Sequence, residues 1–224
     1  PGWEIVARFQ PAREVAGDFY DAFTLSDGQI GLVIADVVDK GVGAALFMAL
    51  FRSLIRFFGE EHRAEGASAL DGVALTNQYI SRNHSRSNMF ATLFFGVLDP
   101  ASGRLTYING GHNPPFVLDA AGEIKARLRP TGPAVGMLPD MIFKTEQVML
   151  EAGDLLLTFT DGVLDARNPA GQQFSEKNLL PPLLQPIASA TALLDQLDTI
   201  LQAHIANADQ FDDITLFAVR RISR

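Results

Sequence analysis

The order of strand-like and helix-like segments constrains this chain more than any other feature of its sequence. Short runs rich in β-branched and aromatic residues are bounded by turn signals such as Ser26-Asp27-Gly28 and Ala121-Gly122. Helical periodicity is confined to two stretches, each containing a pair of segments. A regular βαβ array requires a helix after nearly every strand. The observed order instead predicts an α/β sandwich, with two sheets packed face to face and helix pairs outside.

The bounds of these segments follow from hydrophobic pattern and turn chemistry. The predicted strands are Glu4–Phe9, Phe19–Leu25, Gln29–Asp36, Met89–Leu98, Arg104–Asn109, Phe116–Leu118, Glu123–Leu128, Ile142–Leu150, Leu155–Thr160 and Ile214–Val219. The predicted helices are Gly43–Phe58, Ala67–Ser81, Glu176–Leu184 and Ala190–Ile205. The first of these helices is apolar nearly all round, so we expect it to lie buried against a sheet.

Composition excludes several classes of protein. A chain of 224 residues with 47% hydrophobic residues can bury most of its unfolded surface, so it needs neither a disulfide nor a structural metal to fold. It contains no cysteine, which excludes a disulfide scaffold, a cysteine–zinc site and a thiol nucleophile. The same absence is compatible with a reducing cytoplasm, which is the predicted location.

Charge and hydropathy bear on the partners. A net charge of −8 disfavours nucleic acid as a ligand, because phosphate-backbone binding requires basic surface. The uncharged apolar stretch Gly41–Phe51 is far shorter than the ~20 residues of a membrane span, so none is predicted in this segment. The chain begins with proline rather than methionine, and we expect it to be one domain, residues 1–224, from the C-terminal part of a longer regulatory protein.

Carboxylates recur at the ends of predicted strands. Asp36 and Asp161 each follow a buried apolar run, Asp212 precedes another, and Asp18 starts a strand. Hard cations such as Mg²⁺ and Mn²⁺ take oxygen ligands of this kind, so the four side chains are candidates to converge on one metal cluster. An isolated Asp-Gly is more often a turn, and the pattern alone leaves both interpretations open.

Two other motifs favour structural roles. Gly41-Val42-Gly43 lacks the third glycine of a dinucleotide-binding loop and is better explained by close approach of a helix to a strand end. His112 lies in a turn-rich segment, where a structural hydrogen bond is favoured over catalysis. The sequence has no Gly-x-Ser-x-Gly elbow for a serine nucleophile.

Seven short motifs together resemble the SpoIIE-like branch of the PPM-type protein phosphatases, the branch that includes RsbU-like proteins. They occur in that family's order and extend from about residue 5 to residue 219. They are Pro11–Asp21 (PAREVAGDFYD), Ala35–Leu46 (ADVVDKGVGAAL), Met89–Leu93, Asn109–Pro114, Pro130–Gly132, Thr160–Val163 and Asp212–Thr215. Ala16, Asp39 and Gly110 depart from the usual residues, but no departure removes a carboxylate.

The resemblance implies an α-β-β-α sandwich of two mainly antiparallel sheets and a metal-dependent serine/threonine phosphatase. It implies two Mn²⁺ or Mg²⁺ ions that activate a water for attack on phosphorus. By motif position, Asp36 would bridge both ions, the Val37 carbonyl would bind one, and Asp161 and Asp212 would hold the other. Asp18 would act directly or through water. Asp213 ranks below Asp212.

The resemblance leaves the other roles less determined. Arg13 stands where some relatives bind phosphate, although a solvated surface arginine is an equal alternative. Eukaryotic relatives carry a histidine two residues after the bridging aspartate, but this chain has Val38, so water or His112 is left as the general acid. The alternatives are a catalytically silent pseudophosphatase that acts as a binding module and a metal-dependent phosphodiesterase or nuclease, the latter disfavoured by charge.

The family's usual pathways predict the partners. The expected substrate is a phosphoprotein, the phosphoserine form of an anti-sigma factor antagonist. An upstream sensor or receiver domain in the same chain is expected to control access by moving helix Gly43–Phe58, and a homodimer is compatible with this arrangement.

Overall fold

The computed structural model describes residues 2–60, 68–84 and 87–222, and the chain forms two compact units. The first unit is drawn from the residues up to Glu14, from Asn113–Leu128 and from Leu150 onward. The second consists of Val15–His112 and Arg129–Met149. The expectation that residues 1–224 act as a single domain stays a prediction.

The first unit is an antiparallel sheet with helices. Its strands are ordered β1 (Trp3–Gln10), β10 (Ile214–Arg221), β9 (Leu155–Phe159), β6 (Phe116–Leu118) and β7 (Ile124–Arg127), and every neighbouring pair is antiparallel. Its helices are α3 (Asp161–Asp165), α4 (Ser175–Leu183) and α5 (Ala190–Ile205). Leu155, Leu157 and Phe159 of β9 pack with Leu197 and Leu201 of α5 in the core of this unit.

The second unit repeats this plan. Its antiparallel sheet is ordered β2 (Asp18–Thr24), β3 (Ile30–Val37), β4 (Ala91–Leu98), β5 (Arg104–Gly110) and β8 (Glu146–Met149). Its helices are α1 (Val42–Glu60) and α2 (Asp71–Asn83). Phe51 and Ile55 of α1 join Phe95 of β4 in the core. The prediction of two antiparallel sheets accompanied by helices is confirmed.

Local signals set most element bounds within a residue or two, but two expectations need correction. The predicted strand Ile142–Leu150 is shortened to Glu146–Met149, because it pairs only with residues 104–107 of β5. Ile142 lies outside the pairing and is 79% exposed. The predicted start of the second helix, Ala67, lies outside the described residues, and α2 begins at Asp71.

Helix α1 is also less buried than its composition predicts. Leu46 is 68% exposed and Phe57 is 50% exposed, whereas Phe51 and Ile55 are buried. One sheet and one neighbouring helix cover only part of a helix surface, so an all-apolar sequence leaves apolar side chains in solvent. In the described part of the chain, α1 is the one helix whose length and composition would allow it to cross a bilayer.

Candidate metal centre

In the second unit, two carboxylates face each other at one end of the sheet. Strand β2 begins at Asp18 and antiparallel β3 ends at Val37, so Asp18 is paired directly with Asp36. Side chains of directly paired residues lie on the same face, with Cβ atoms about 5 Å apart. Asp18 is only 3% exposed and Asp36 is half-buried. Like charges opposite one another destabilise a sheet, and a divalent cation would offset that repulsion.

The Val37 backbone beside this pair is held by a glycine. The Val37 amide donates to the Gly17 carbonyl at 3.3 Å. A Cβ atom at Gly17 would lie 3.0 Å from the Val37 carbonyl oxygen and 3.5 Å from the Ala44 Cβ in α1. Glycine therefore allows the turn before β2 to approach both the strand end and the first turn of α1.

A threonine and a histidine extend the polar row across the sheet. Thr92 of β4 is paired directly with Asp36, on the side of β3 opposite to β2. The Thr92 hydroxyl Oγ1 is 2.9 Å from His112 Nδ1, and the His112 amide donates to Asn109 Oδ1 at 2.8 Å. His112 is only 2% exposed. The buried histidine thus makes the predicted structural hydrogen bonds, and its ring contacts the residue adjacent to Asp36.

The first unit carries a second acidic pair, also at one end of its sheet. Strand β9 ends at Phe159 and antiparallel β10 begins at Ile214, so Asp161 and Asp212 both lie just beyond this end. The buried Thr160 joins the two segments: its amide donates to the Thr215 carbonyl and its hydroxyl accepts from the Thr215 amide, each at 3.1 Å.

Close backbone packing brings Asp161 and Asp212 together. Gly162, the second residue of α3, is so near the neighbouring segment that a Cβ atom there would lie 1.9 Å from the Asp213 carbonyl oxygen and 3.3 Å from the Asp212 Cβ. Only a residue without a side chain permits this approach. The Asp212 carboxylate Oδ1 accepts from the Asp213 amide at 2.9 Å.

Arg13 lies at the same end of this sheet. The loop that carries it leaves β1 at Gln10, which is paired with Ile214, the first residue of β10. Arg13 is exposed. The amide of its neighbour Ala12 donates to the carboxylate Oδ1 of buried Asp213 at 2.8 Å. The first unit therefore places the backbone of the Arg13 loop beside the segment that carries Asp212.

The donor set fits a hard divalent cation. Carboxylate oxygens at the ends of stiff strands, with a backbone carbonyl beside one pair, are the ligands that Mg²⁺ and Mn²⁺ prefer. The structure brings the predicted ligands together as two pairs, Asp18 with Asp36 and Asp161 with Asp212, each within its own unit. Across residues 2–60, 68–84 and 87–222, no group of three or more histidine or acidic side chains is arranged to hold a metal ion. The ligand assignments and the convergence of the two pairs stay predictions.

Several neighbouring residues were not singled out by sequence reasoning. Thr92 and Thr160 lie within recognised motifs, but their roles depend on cross-strand register, which no local pattern reveals. The bond between Ala12 and Asp213 joins residues at opposite ends of the chain. Gly17 and Gly162 are the sequence signals of close backbone approach beside the candidate ligands. The close approach predicted at Gly41–Gly43 does not involve Gly43, where a Cβ atom would meet nothing within 4 Å.

Comparison with known proteins extends the match over most of the chain. The family model for stage II sporulation protein E (SpoIIE) matches residues 26–222. Protein IcfG of Synechocystis is 46% identical over 98% of this chain and 38% of its own length. The phosphoserine phosphatase RsbU of Bacillus subtilis is 29% identical over 94% of this chain and 61% of its own length. The chain thus spans between about two fifths and three fifths of these relatives.

Solved structures have the same fold. The RsbU and RsbW domains of Rv1364c from Mycobacterium tuberculosis match with a TM-score of 0.79 and 28% identity, over all of this chain and 62% of that one. RsbX in complex with magnesium matches with a TM-score of 0.70 and 16% identity, over 97% of this chain and 94% of that one. This chain belongs to the SpoIIE family and has the fold of the PPM (PP2C-type) phosphatases.

Proposed function

We propose that this chain is a metal-dependent serine/threonine protein phosphatase that hydrolyses phosphoserine by attack of an activated water. The observation that carries the proposal is the pair of neighbouring acidic residues at one sheet end in each unit, at positions that the family motifs assign to metal binding. Membership of the SpoIIE family and similarity to a phosphoserine phosphatase support it.

Four carboxylates and one backbone carbonyl are the proposed ligands of two Mn²⁺ or Mg²⁺ ions. Asp36 would bridge the ions, the Val37 carbonyl and Asp18 would complete one side, and Asp161 and Asp212 would complete the other. When bound, such ions activate water and neutralise phosphoryl charge. The chain's own contribution is to fix these oxygens: Gly17 and Gly162 remove the side chains that would push the strand ends apart.

Arg13 is the proposed phosphate-binding residue. Its guanidinium group is permanently charged and presents a planar set of donors that matches phosphoryl oxygens. The position of the Arg13 loop beside the Asp212 segment of the first unit supports this role. The general acid is not assigned to His112, because that ring is buried and bonded to Thr92. Water remains the proposed proton donor.

We expect the substrate to be a folded phosphoprotein, specifically the phosphoserine form of an anti-sigma factor antagonist. A cleft of about 350 Å³ in the second unit, lined in part by apolar Met89, Phe90 and Met137, would accept a side chain of such a partner. The Phe90 carbonyl accepts from the Val38 amide at 2.9 Å, so the cleft lies beside the strand end that carries Asp36.

We also propose that this chain is part of a longer, cytoplasmic protein. An upstream sensor or receiver domain would control activity through α1, whose Ala44 lies against Gly17 and hence near Val37. A shift of about 1 Å there would weaken a site that demands near-ideal geometry. A homodimer would be one way to transmit such a signal.

The decisive experiment measures Mn²⁺-dependent phosphate release from a phosphorylated antagonist protein and from a small aryl phosphate at equal metal concentration. We expect a higher kcat/KM for the phosphoprotein. Higher efficiency on the aryl phosphate would refute protein specificity. Tight Mn²⁺ binding without hydrolysis of either substrate would identify a pseudophosphatase.

The switch through α1 has its own test. Activity is compared with and without the upstream domain and its signal, with the substrate and metal concentrations held constant. Equal activity in all conditions would refute control through α1.

A further inference from the structure

The Asp213 carboxylate has a structural partner that distinguishes it from its neighbour Asp212. Asp213 is only 8% exposed, and its Oδ1 accepts from the Ala12 amide at 2.8 Å. A hydrogen bond of this length to a buried side-chain oxygen is well suited to holding a loop in one conformation. The loop that it holds is the one that carries Arg13.

The main chain around Asp213 is anchored on two further sides. Its carbonyl oxygen occupies the space that a side chain at Gly162 would take, next to Asp161. The Gln210 side-chain Nε2 donates to the Gln10 carbonyl at 2.9 Å and to the Asp212 carbonyl at 2.8 Å, which joins the end of β1 to the same segment. Residues 212–213 are therefore the common support for Asp161, Asp212 and the Arg13 loop.

We infer that Asp213 is a positioning residue rather than a metal ligand: it holds the Ala12 amide so that Arg13 presents its guanidinium group to the substrate phosphoryl group. The inference rests on the proposed phosphatase function and on the proposed role of Arg13. It assigns different chemistry to two adjacent aspartates, with Asp212 as the ligand and Asp213 as the hydrogen-bond acceptor that orients the phosphate-binding loop.

The two roles predict opposite responses to substitution. An acceptor for a backbone amide needs one oxygen and no charge, so Asp213→Asn keeps the bond through its amide oxygen and retains near-native activity. Asp213→Ala removes the acceptor and raises KM for the phosphoprotein about tenfold, the effect of losing one hydrogen bond, with a much smaller change in kcat. Mn²⁺ affinity, measured by calorimetry, stays within about twofold of wild type in both variants, whereas Asp212→Ala lowers it.

Substitution of Arg13 tests whether the bond between the Ala12 amide and Asp213 acts through the Arg13 side chain. Arg13→Ala raises KM to a similar extent, and the double variant Arg13→Ala/Asp213→Ala is scarcely worse than either single variant, because both changes remove the same interaction. Additive losses in this cycle would overturn the inference. So would an Asp213→Asn variant as impaired as Asp213→Ala, or a large loss of Mn²⁺ affinity in either.

Two further measurements distinguish failure of this inference from misfolding of a variant and from failure of the proposed function. Hydrogen exchange at the Ala12 amide is expected to be slow in the wild type and in Asp213→Asn but fast in Asp213→Ala; unchanged protection would overturn the inference. If Asp213→Ala does not fold, Asp213→Ser, whose shorter side chain cannot reach the amide, takes its place. A wild-type chain that releases no phosphate would overturn the proposed function, while amide exchange and metal affinity still decide whether Asp213 holds the loop.

Discussion

The closest backbone approach beside the candidate ligands makes Gly162→Ala the most informative single substitution. The new Cβ atom would lie 1.9 Å from the Asp213 carbonyl oxygen and 2.9 Å from its carbonyl carbon. Both obstructing atoms belong to the main chain, so no side-chain rotation relieves the overlap. Helix α3 and the segment before β10 must instead separate by roughly 1.5 Å to restore ordinary van der Waals contact.

The magnitude follows from this displacement. Forcing extra volume into a packed site costs about 1–3 kcal/mol, and a main-chain obstruction places this variant near the upper end. For a chain of this size, that loss corresponds to a fall in Tm of roughly 5–10 °C. The same displacement would separate Asp161 from Asp212, and misplacement by about 1 Å can lower turnover roughly 10²-fold.

The assay pairs thermal unfolding with Mn²⁺ calorimetry and phosphate release. The matched control is Gly43→Ala in the first turn of α1, where a Cβ atom would meet nothing within 4 Å. That control should leave the free energy of unfolding unchanged or raise it by up to about 1 kcal/mol, because alanine favours helix more than glycine. A Gly162→Ala protein with the melting temperature and Mn²⁺ affinity of the control would refute the reasoning.

Three further predictions concern other residues of the site and the sheet. Asp36→Asn should lower kcat/KM about 10²-fold or more, against roughly tenfold for Arg13→Ala, because only Asp36 is proposed to bind both ions. Near-native turnover of Asp36→Asn at saturating Mn²⁺ would contradict the ligand assignment. Thr92→Val should weaken Mn²⁺ binding about tenfold while Thr92→Ser does not, because the hydroxyl bonded to His112 faces the Asp36 position. Equal Mn²⁺ affinities of the two variants in calorimetry would count against this role. Burial and a hydrogen bond to a carboxylate raise the pKa of Tyr107, so its stabilisation is complete below about pH 10 and is lost as the pH rises further. Urea unfolding should therefore show stability falling above pH 10 in the wild type and falling less in Tyr107→Phe, and identical slopes would exclude the tyrosine as the cause.

The sequence by itself predicted the family, the candidate ligands and most of the element bounds. Asp36 and Asp161 follow short, largely apolar runs of the length and composition typical of buried strands. These signals are local, because neighbouring residues and turn chemistry decide them. Together with the motif order, they were sufficient to predict the family and both antiparallel sheets.

The tertiary structure alone decided which residues are neighbours across the sheets. Pairing of Asp18 with Asp36, and of Asp36 with Thr92, depends on strand register. The bond from Ala12 to Asp213 depends on β1 lying beside β10. Exposure of Leu46 in α1 likewise depends on how much of the helix its neighbours cover. Register and coverage arise from packing between segments far apart in the chain, and a one-residue slip, invisible in local pattern, would turn every side chain of a strand to the other face.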